Sequence, residues 1–316
     1  TNTGTVLAQD GLLAINTKHI DTAAIDTGVI NNKGTLSGNG TYLDSNELMN
    51  STSKGQVYSS AEVILNITGN LNNIGGALIH AETGIGLSAG GDVTNTGTIE
   101  AINDVGISSQ NMTNSGTILA QKNSLSIGVD NLNNSGTLAG NGIDIDVYSL
   151  TNRGRIYSSQ DVNLNVTDDL ENRNGALIHA DTDITLEASK EGGFKGLHNI
   201  DSTIEAQNTI LINTTYFFNS GAILAQDGEL TIDTGSLRYD GRISSSLDNA
   251  GRLAGNGITL YALSLENTWS NSEIYSSDYI DLNIARDINN DNGALIHADT
   301  DLTITSTWEG DLINTM

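Results

Sequence analysis

Apolar residues along the 316-residue chain alternate with polar ones at a period of two. Segments such as Thr117-Ile118-Leu119-Ala120, Leu125-Ser126-Ile127 and Val162-Asn163-Leu164-Asn165-Val166 place successive side chains on opposite faces, the pattern of a strand with one face buried. No window keeps the i, i+3, i+4, i+7 stripe of an amphipathic helix, and β-branched residues dominate. Asn-x-Gly punctuates the strands, as in Asn2-Thr3-Gly4, Asn95-Thr96-Gly97, Asn114-Ser115-Gly116, Asn134-Ser135-Gly136 and Asn219-Ser220-Gly221. These Gly and Asn residues predict positive-φ corners of tight turns, with the asparagines stacked in hydrogen-bonded ladders. The unit is roughly 20 residues long, at the short end of the solenoid range. Parallel strands rejoined at that interval, with no helix between them, predict one coil of a parallel β-helix per unit.

A longer period lies above this one. Gly76-Ala77-Leu78-Ile79-His80-Ala81 recurs letter for letter at 175–180 and 293–298. Val57-Tyr58-Ser59-Ser60 recurs as Ile156-Tyr157-Ser158-Ser159 and Ile274-Tyr275-Ser276-Ser277, and Thr98-Ile99-Glu100-Ala101 as Thr203-Ile204-Glu205-Ala206. The order is constant. It predicts a single β-helix segment over 1–316, built of five-coil blocks at 1–112, 113–217 and 218–316. The total is about 14 coils, on the order of 65 Å of rod at about 4.8 Å per coil.

Composition changes the picture only after the repeat is seen. With 37% hydrophobic and 4% aromatic residues and a formal net charge of −25, the chain could be read as disordered. Narrow coils need only Ile, Leu, Val and Ala inside, so the scarcity of rings becomes architectural. Pro is absent, as expected where nearly every strand N–H donates to the next coil. Cys is also absent, so there is no disulfide framework and no thiolate site. The acidity argues against nucleic acid and anionic membrane as partners. No apolar run approaches the roughly 20 residues of a spanning helix.

The Asn-x-Gly-x-[Ile/Leu]-x-Ala coils resemble the hemagglutinin repeats of large two-partner secretion exoproteins. That family includes filamentous hemagglutinin-type adhesins and contact-dependent growth inhibition (CDI) toxins. The resemblance covers essentially the whole chain. It implies a right-handed parallel β-helix in a very long, secreted filament on a Gram-negative cell surface. It further implies an outer-membrane secretion partner for the full-length protein, and a rod that adheres to target cells or projects a distal toxin domain. The segment shows no signal peptide, secretion domain or toxin-like tail, and is expected to be a piece of a longer rod.

Candidate contact residues come from two places. In each Ile-x-Ala strand the middle residue points outward, giving a column in which Tyr157, His179 and Glu205 follow on consecutive coils, as do Tyr58, His80 and Glu100. Such a row could do acid–base work or bind sugar. Repetition along the rod favours ordinary cross-strand pairing, or multivalent contact, over one active site. The second place is the stretches 16–30, 187–199 and 233–248, which are longer than their counterparts. They hold Phe194, Lys195 and His198, and Arg238, Tyr239 and Arg242. Ten of the 14 aromatics lie beyond residue 190. Tyr, Trp and Arg are common contact anchors, so both a binding and a core-covering reading stand open.

The sequence points to a non-enzymatic rod with no cofactor and no metal site. Asp181 with Asp183, and Asp299 with Asp301, could share a face, but turn chemistry accounts for them. The expected partner is an outer-membrane protein or surface glycan of a target cell. The alternative is a carbohydrate-active β-helix, either a polysaccharide lyase or a tailspike-like glycan binder.

Overall fold

A computed structural model describes residues 1–17, 28–188, 196–235, 245–306 and 310–314. Among them every element is a strand, and the strand pairs run parallel. The fold is a parallel β-helix, as the alternation and the missing helical stripe predicted. The chain divides into two compact units, Thr1–Val147 with Gly154–Ile156, and Tyr148–Arg153 with Tyr157–Met316. That division falls inside the second sequence block.

One coil of the first unit shows the plan. Leu78–Ala81 belongs to one sheet, while Ile85–Ala89 and Val93–Asn95 belong to a second. Leu78–Ala81 pairs with Gln56–Ser59 before it and Thr98–Ala101 after it, so that Ile79 sits over Val57 and under Ile99. These three are fully buried. Each coil therefore stacks its inward residues on the same residues of its neighbours. In the second unit the order repeats, with Ile178, Ile204, Ile223 and Leu253 in successive register.

Coils differ in how the second sheet is reached. Val105–Asn114, Ser124–Asn134 and Gly142–Asn152 each run unbroken where other coils use two short strands. Elsewhere an inserted turn such as Thr68-Gly69-Asn70 separates the two strands; in these coils the chain continues directly.

The core is Leu, Ile, Val and Ala, with two departures. Met112 and Phe217 are also fully enclosed. Phe217 occupies the position held by Leu197 and Leu247 on the flanking coils, so one position admits a ring that the aliphatic core argument did not foresee. The first and last coils have a neighbour on one side only, and Val6, Leu302 and Leu312 are exposed there. Among the described residues the sheet that contains Leu78–Ala81 has 14 strands, one for each of the 14 coils expected.

Asparagine runs down the corner of each unit as a buried ladder. In the first unit Asn73 Nδ2 donates to Asn95 Oδ1 at 2.8 Å, and Asn95 Nδ2 to Asn114 Oδ1 at 2.8 Å. In the second, Asn172 Nδ2 donates to Asn199 Oδ1 at 2.9 Å, and Asn199 Nδ2 to Asn219 Oδ1 at 2.8 Å. Each amide also serves backbone; Asn95 Nδ2 reaches the Thr117 carbonyl at 3.2 Å and Asn95 Oδ1 accepts from the Gly97 N–H at 3.3 Å. Most ladder steps span 18 to 24 residues, but three span 30, 27 and 30. The long steps enclose the three expected excursions, so added residues are accommodated within a coil without interrupting the ladder.

Replacing Asn95 by Ala should therefore orphan buried donors and acceptors on three coils. The expected loss is about 2–4 kcal/mol, given about 1–3 kcal/mol per unsatisfied buried group. A melting-temperature fall of roughly 5–15 °C would register it.

The glycines correct one expectation. Positive φ occurs at Gly40, Gly75, Gly76, Gly175, Gly235 and Gly293, with Thr52, Asn174, Asp201 and Asn292. Apart from Gly75 in Asn73-Ile74-Gly75, the Asn-x-Gly glycines are not among them. What they require is space, because a Cβ at Gly116 would lie 2.0 Å from the Gly97 carbonyl oxygen.

Candidate functional site

The outward column forms as the alternation predicted. Within the first unit Tyr58, His80 and Glu100 are register partners on successive strands. His80 is mostly buried between its neighbours. The Tyr58 and His80 rings stack with centroids 5.1 Å apart and planes 3° from parallel. His80 Nδ1 lies 2.9 Å from Glu100 Oε1, and Nε2 lies 3.3 Å from Glu82 Oε1. The Tyr58 hydroxyl donates to the same Glu82 oxygen at 2.9 Å.

The second unit builds the same group. Tyr157 and His179 stack at 4.9 Å and 1°. His179 Nδ1 lies 2.8 Å from Glu205 Oε1, and Nε2 lies 2.8 Å from Asp181 Oδ1. The Tyr157 hydroxyl donates to Asp181 Oδ2 at 3.3 Å. Tyr275 and His297 repeat the stack at 5.4 Å, both bonded to Asp299. Adjacent rungs lie about 4.8 Å apart, so flat rings in one column stack at nearly that distance.

This arrangement sets what the histidines can do. A neutral imidazole has one N–H and one lone pair; only the doubly protonated ring donates to two carboxylates at once. Both ring nitrogens of His80 and His179 lie within 3.3 Å of carboxylate oxygens. The tyrosines are held protonated as donors. The carboxylate hydrogen bond is the main cause of the upward shift at Tyr58 and Tyr275, and burial is at Tyr157.

Glu82 moves the other way. Its hydrogen bond from Tyr58, then that from His80, holds its carboxyl below the usual range. A lowered folded-state value stabilises the fold at pH above the ordinary carboxylate value. That contribution is lost as pH falls through the lowered one. Tyr58→Phe removes the larger cause, so Glu82 should titrate at higher pH in the variant, followed by carboxyl NMR.

The third member of each group was not assigned from sequence. Glu82, Asp181 and Asp299 each follow their histidine by two positions in His-Ala-[Asp/Glu]. The paired-aspartate idea separates here. Asp181 serves the ring column, whereas Asp183 Oδ1 accepts the Thr209 N–H at 2.9 Å. Among the described residues no cluster of three or more His, Asp or Glu is arranged for a metal.

Of the excursion residues, Phe194, Lys195, Arg238, Tyr239 and Arg242 lie outside the described residues. His198 is placed, and not on a loop. It sits in the strand Leu197–Ile200 between Glu171 and Phe218. Its Nε2 is 3.4 Å from Asp169 Oδ1, and its ring is 5.2 Å from that of Tyr216. The stretch 187–199, read from its length as an excursion, includes the start of this strand.

His198 opens a second outward column. Its rungs are Glu171, His198, Phe218, Asp248, Glu266 and Asn289. Each of the six immediately precedes a ladder asparagine, and that position was the signal available in the sequence. Phe218, Asp248, Ala250, Glu266, Thr268 and Trp269 line a recess of about 220 Å³. Burial pushes both carboxyls above the usual range, against partial relief from Ser246 and Tyr216 at Asp248 and from Asn289 at Glu266.

No protein-family model, curated protein or solved structure matches the chain.

Proposed function

We propose that the chain is a non-enzymatic rod or stalk segment of a large secreted exoprotein on a Gram-negative cell surface. It acts in adhesion or receptor binding and presents a distal adhesive or toxin domain. The observation that carries this reading is the recurrence of the Tyr–His–acid group at equivalent coils in both units. A contact surface that repeats with the scaffold suits multivalent attachment. The resemblance to hemagglutinin-type repeats supplies the secreted, two-partner setting. The partner is an outer-membrane protein or surface glycan of a target cell.

The test is binding of this segment to Gram-negative cells and to purified outer-membrane proteins. Saturable binding that weakens when Tyr58, Tyr157 and Tyr275 are all replaced by Ala supports an adhesive face. Absence of binding, together with full activity of the parent when a neutral solenoid of equal length is substituted, would reduce the role to spacing. Depolymerisation of an oligosaccharide that is abolished by His179→Ala would instead establish the carbohydrate-active alternative.

A further inference from the structure

The recess between Phe218 and Trp269 is chemically unlike the rest of the surface. Its acidic wall is Asp248 and Glu266, register partners on adjacent strands about 4.8 Å apart. Each has neutral hydrogen-bond donors only. The Tyr216 hydroxyl donates to Asp248 Oδ2 at 3.3 Å, and Asn289 Nδ2 donates to Glu266 Oε2 at 3.0 Å. Among the described residues neither carboxylate is ion-paired. Asp248, Asp287 and Asp291 all act on Glu266 as like charges. Two rings flank it, Phe218 on the rung before Asp248 and Trp269, 65% exposed, beyond Glu266, with Ala250 and Thr268 between.

Two half-buried like charges without a counter-ion repel one another, and a cation is what relieves both. Ring faces attract the same charge and cover an alkyl stem. A neutral sugar would use the rings but leave the repulsion in place. Volume agrees, since about 220 Å³ holds one side chain and not an extended chain. We propose that this recess takes the cationic side chain of a partner protein, a lysine ammonium or an arginine guanidinium. Charge on the partner is also what a chain of net charge −25 would attract at long range. The inference requires a protein partner; it does not require the secreted-filament reading.

The test follows the Trp269 indole N–H by NMR, assigned with Trp269→Phe, during titration of the intact chain. Probes are Nα-acetyl-arginine amide and Nα-acetyl-lysine amide, against uncharged Nα-acetyl-glutamine amide and maltose at matched salt. The expected result is a saturable shift with the two cations alone. Affinity should fall at least about tenfold in Asp248→Asn/Glu266→Gln, and should fall with added salt. Melting of that variant should be unchanged or raised at neutral pH, which separates lost binding from lost fold. If it melts lower, Asp248→Asn alone provides the comparison. No cation-specific shift, a shift equal with glutamine amide, a response to maltose alone, or unaltered affinity in the variants would overturn the proposal. Binding that appears only in Arg238→Ala/Arg242→Ala would also overturn it, by assigning the recess to the chain's own arginines.

Discussion

Ile118→Asp is expected to disrupt the first unit severely. Ile118 is fully buried, with Ile99 and Leu138 as its register partners on either side. The substitution forfeits about 2–5 kcal/mol of aliphatic packing. It also leaves a carboxylate among alkyl groups with no partner, so the acid must stay protonated or the coil must open. We expect more than about 4 kcal/mol of lost stability and a melting temperature lower by more than roughly 10 °C. Far-UV circular dichroism melts would measure it. Leu119→Thr is the control, because the next residue along the strand points outward and touches Glu100 and Ala139 rungs instead. It should stay within about 1 kcal/mol of wild type, since surface positions tolerate change. Equal effects from the two variants would show that the face assignment is wrong.

That contrast explains why so much of the architecture was readable. In a solenoid each coil repeats the decisions of the last, so inward and outward positions are stated many times. Ile79, Ile99, Ile118 and Leu138 carry one decision in four strands of the first unit. The asparagine ladder is equally redundant, because a misaligned Asn would lose its partners on both sides. Local choices that are made once were not readable. Fusion of two strands into Val105–Asn114 depends on the length of one turn. The wrong turn geometry at Asn-x-Gly has a related cause. Small size answers two different needs, positive φ and close approach, and the letter Gly does not say which.

The site was half legible for the same reason. Tyr157, His179 and Glu205 were found because they recur and because alternation fixes their face. Their carboxylate partner Asp181 was missed because it lies just past the strand end, where the period-two rule stops. The recess was missed because its rungs do not recur by type. Phe218, Asp248 and Glu266 hold equivalent positions with unlike residues, so no repeat search selects them. Their shared place before a ladder asparagine aligns them, but it does not say which rungs form a recess.

Gly116→Ala is expected to have the second large effect, and its cause is contact rather than conformation. The φ of Gly116 is not in the left-handed region, so the backbone itself would accept a side chain. A Cβ there would lie 2.0 Å from the Gly97 carbonyl oxygen and 2.9 Å from the Gly97 nitrogen, both rigid backbone. Relief requires the coils to part at their corner. Parting stretches the Thr117 N–H to Gly97 carbonyl bond at 2.9 Å and the adjacent Asn95–Asn114 amide bond at 2.8 Å. Loss of two or three buried hydrogen bonds with strain implies about 3–5 kcal/mol. Two other glycines separate the causes. Gly175 has open space but a φ of 75°, so Ala should cost about 1–2 kcal/mol through conformation alone. Gly128 has neither constraint, and Ala there should be neutral or stabilising by up to about 1 kcal/mol. Denaturant melts of the three variants should therefore rank Gly116→Ala as most destabilised, then Gly175→Ala, then Gly128→Ala. If Gly116→Ala melts with Gly128→Ala, the corner has room that the close stacking denies, and the asparagine ladder rather than the glycine column must set the spacing between coils.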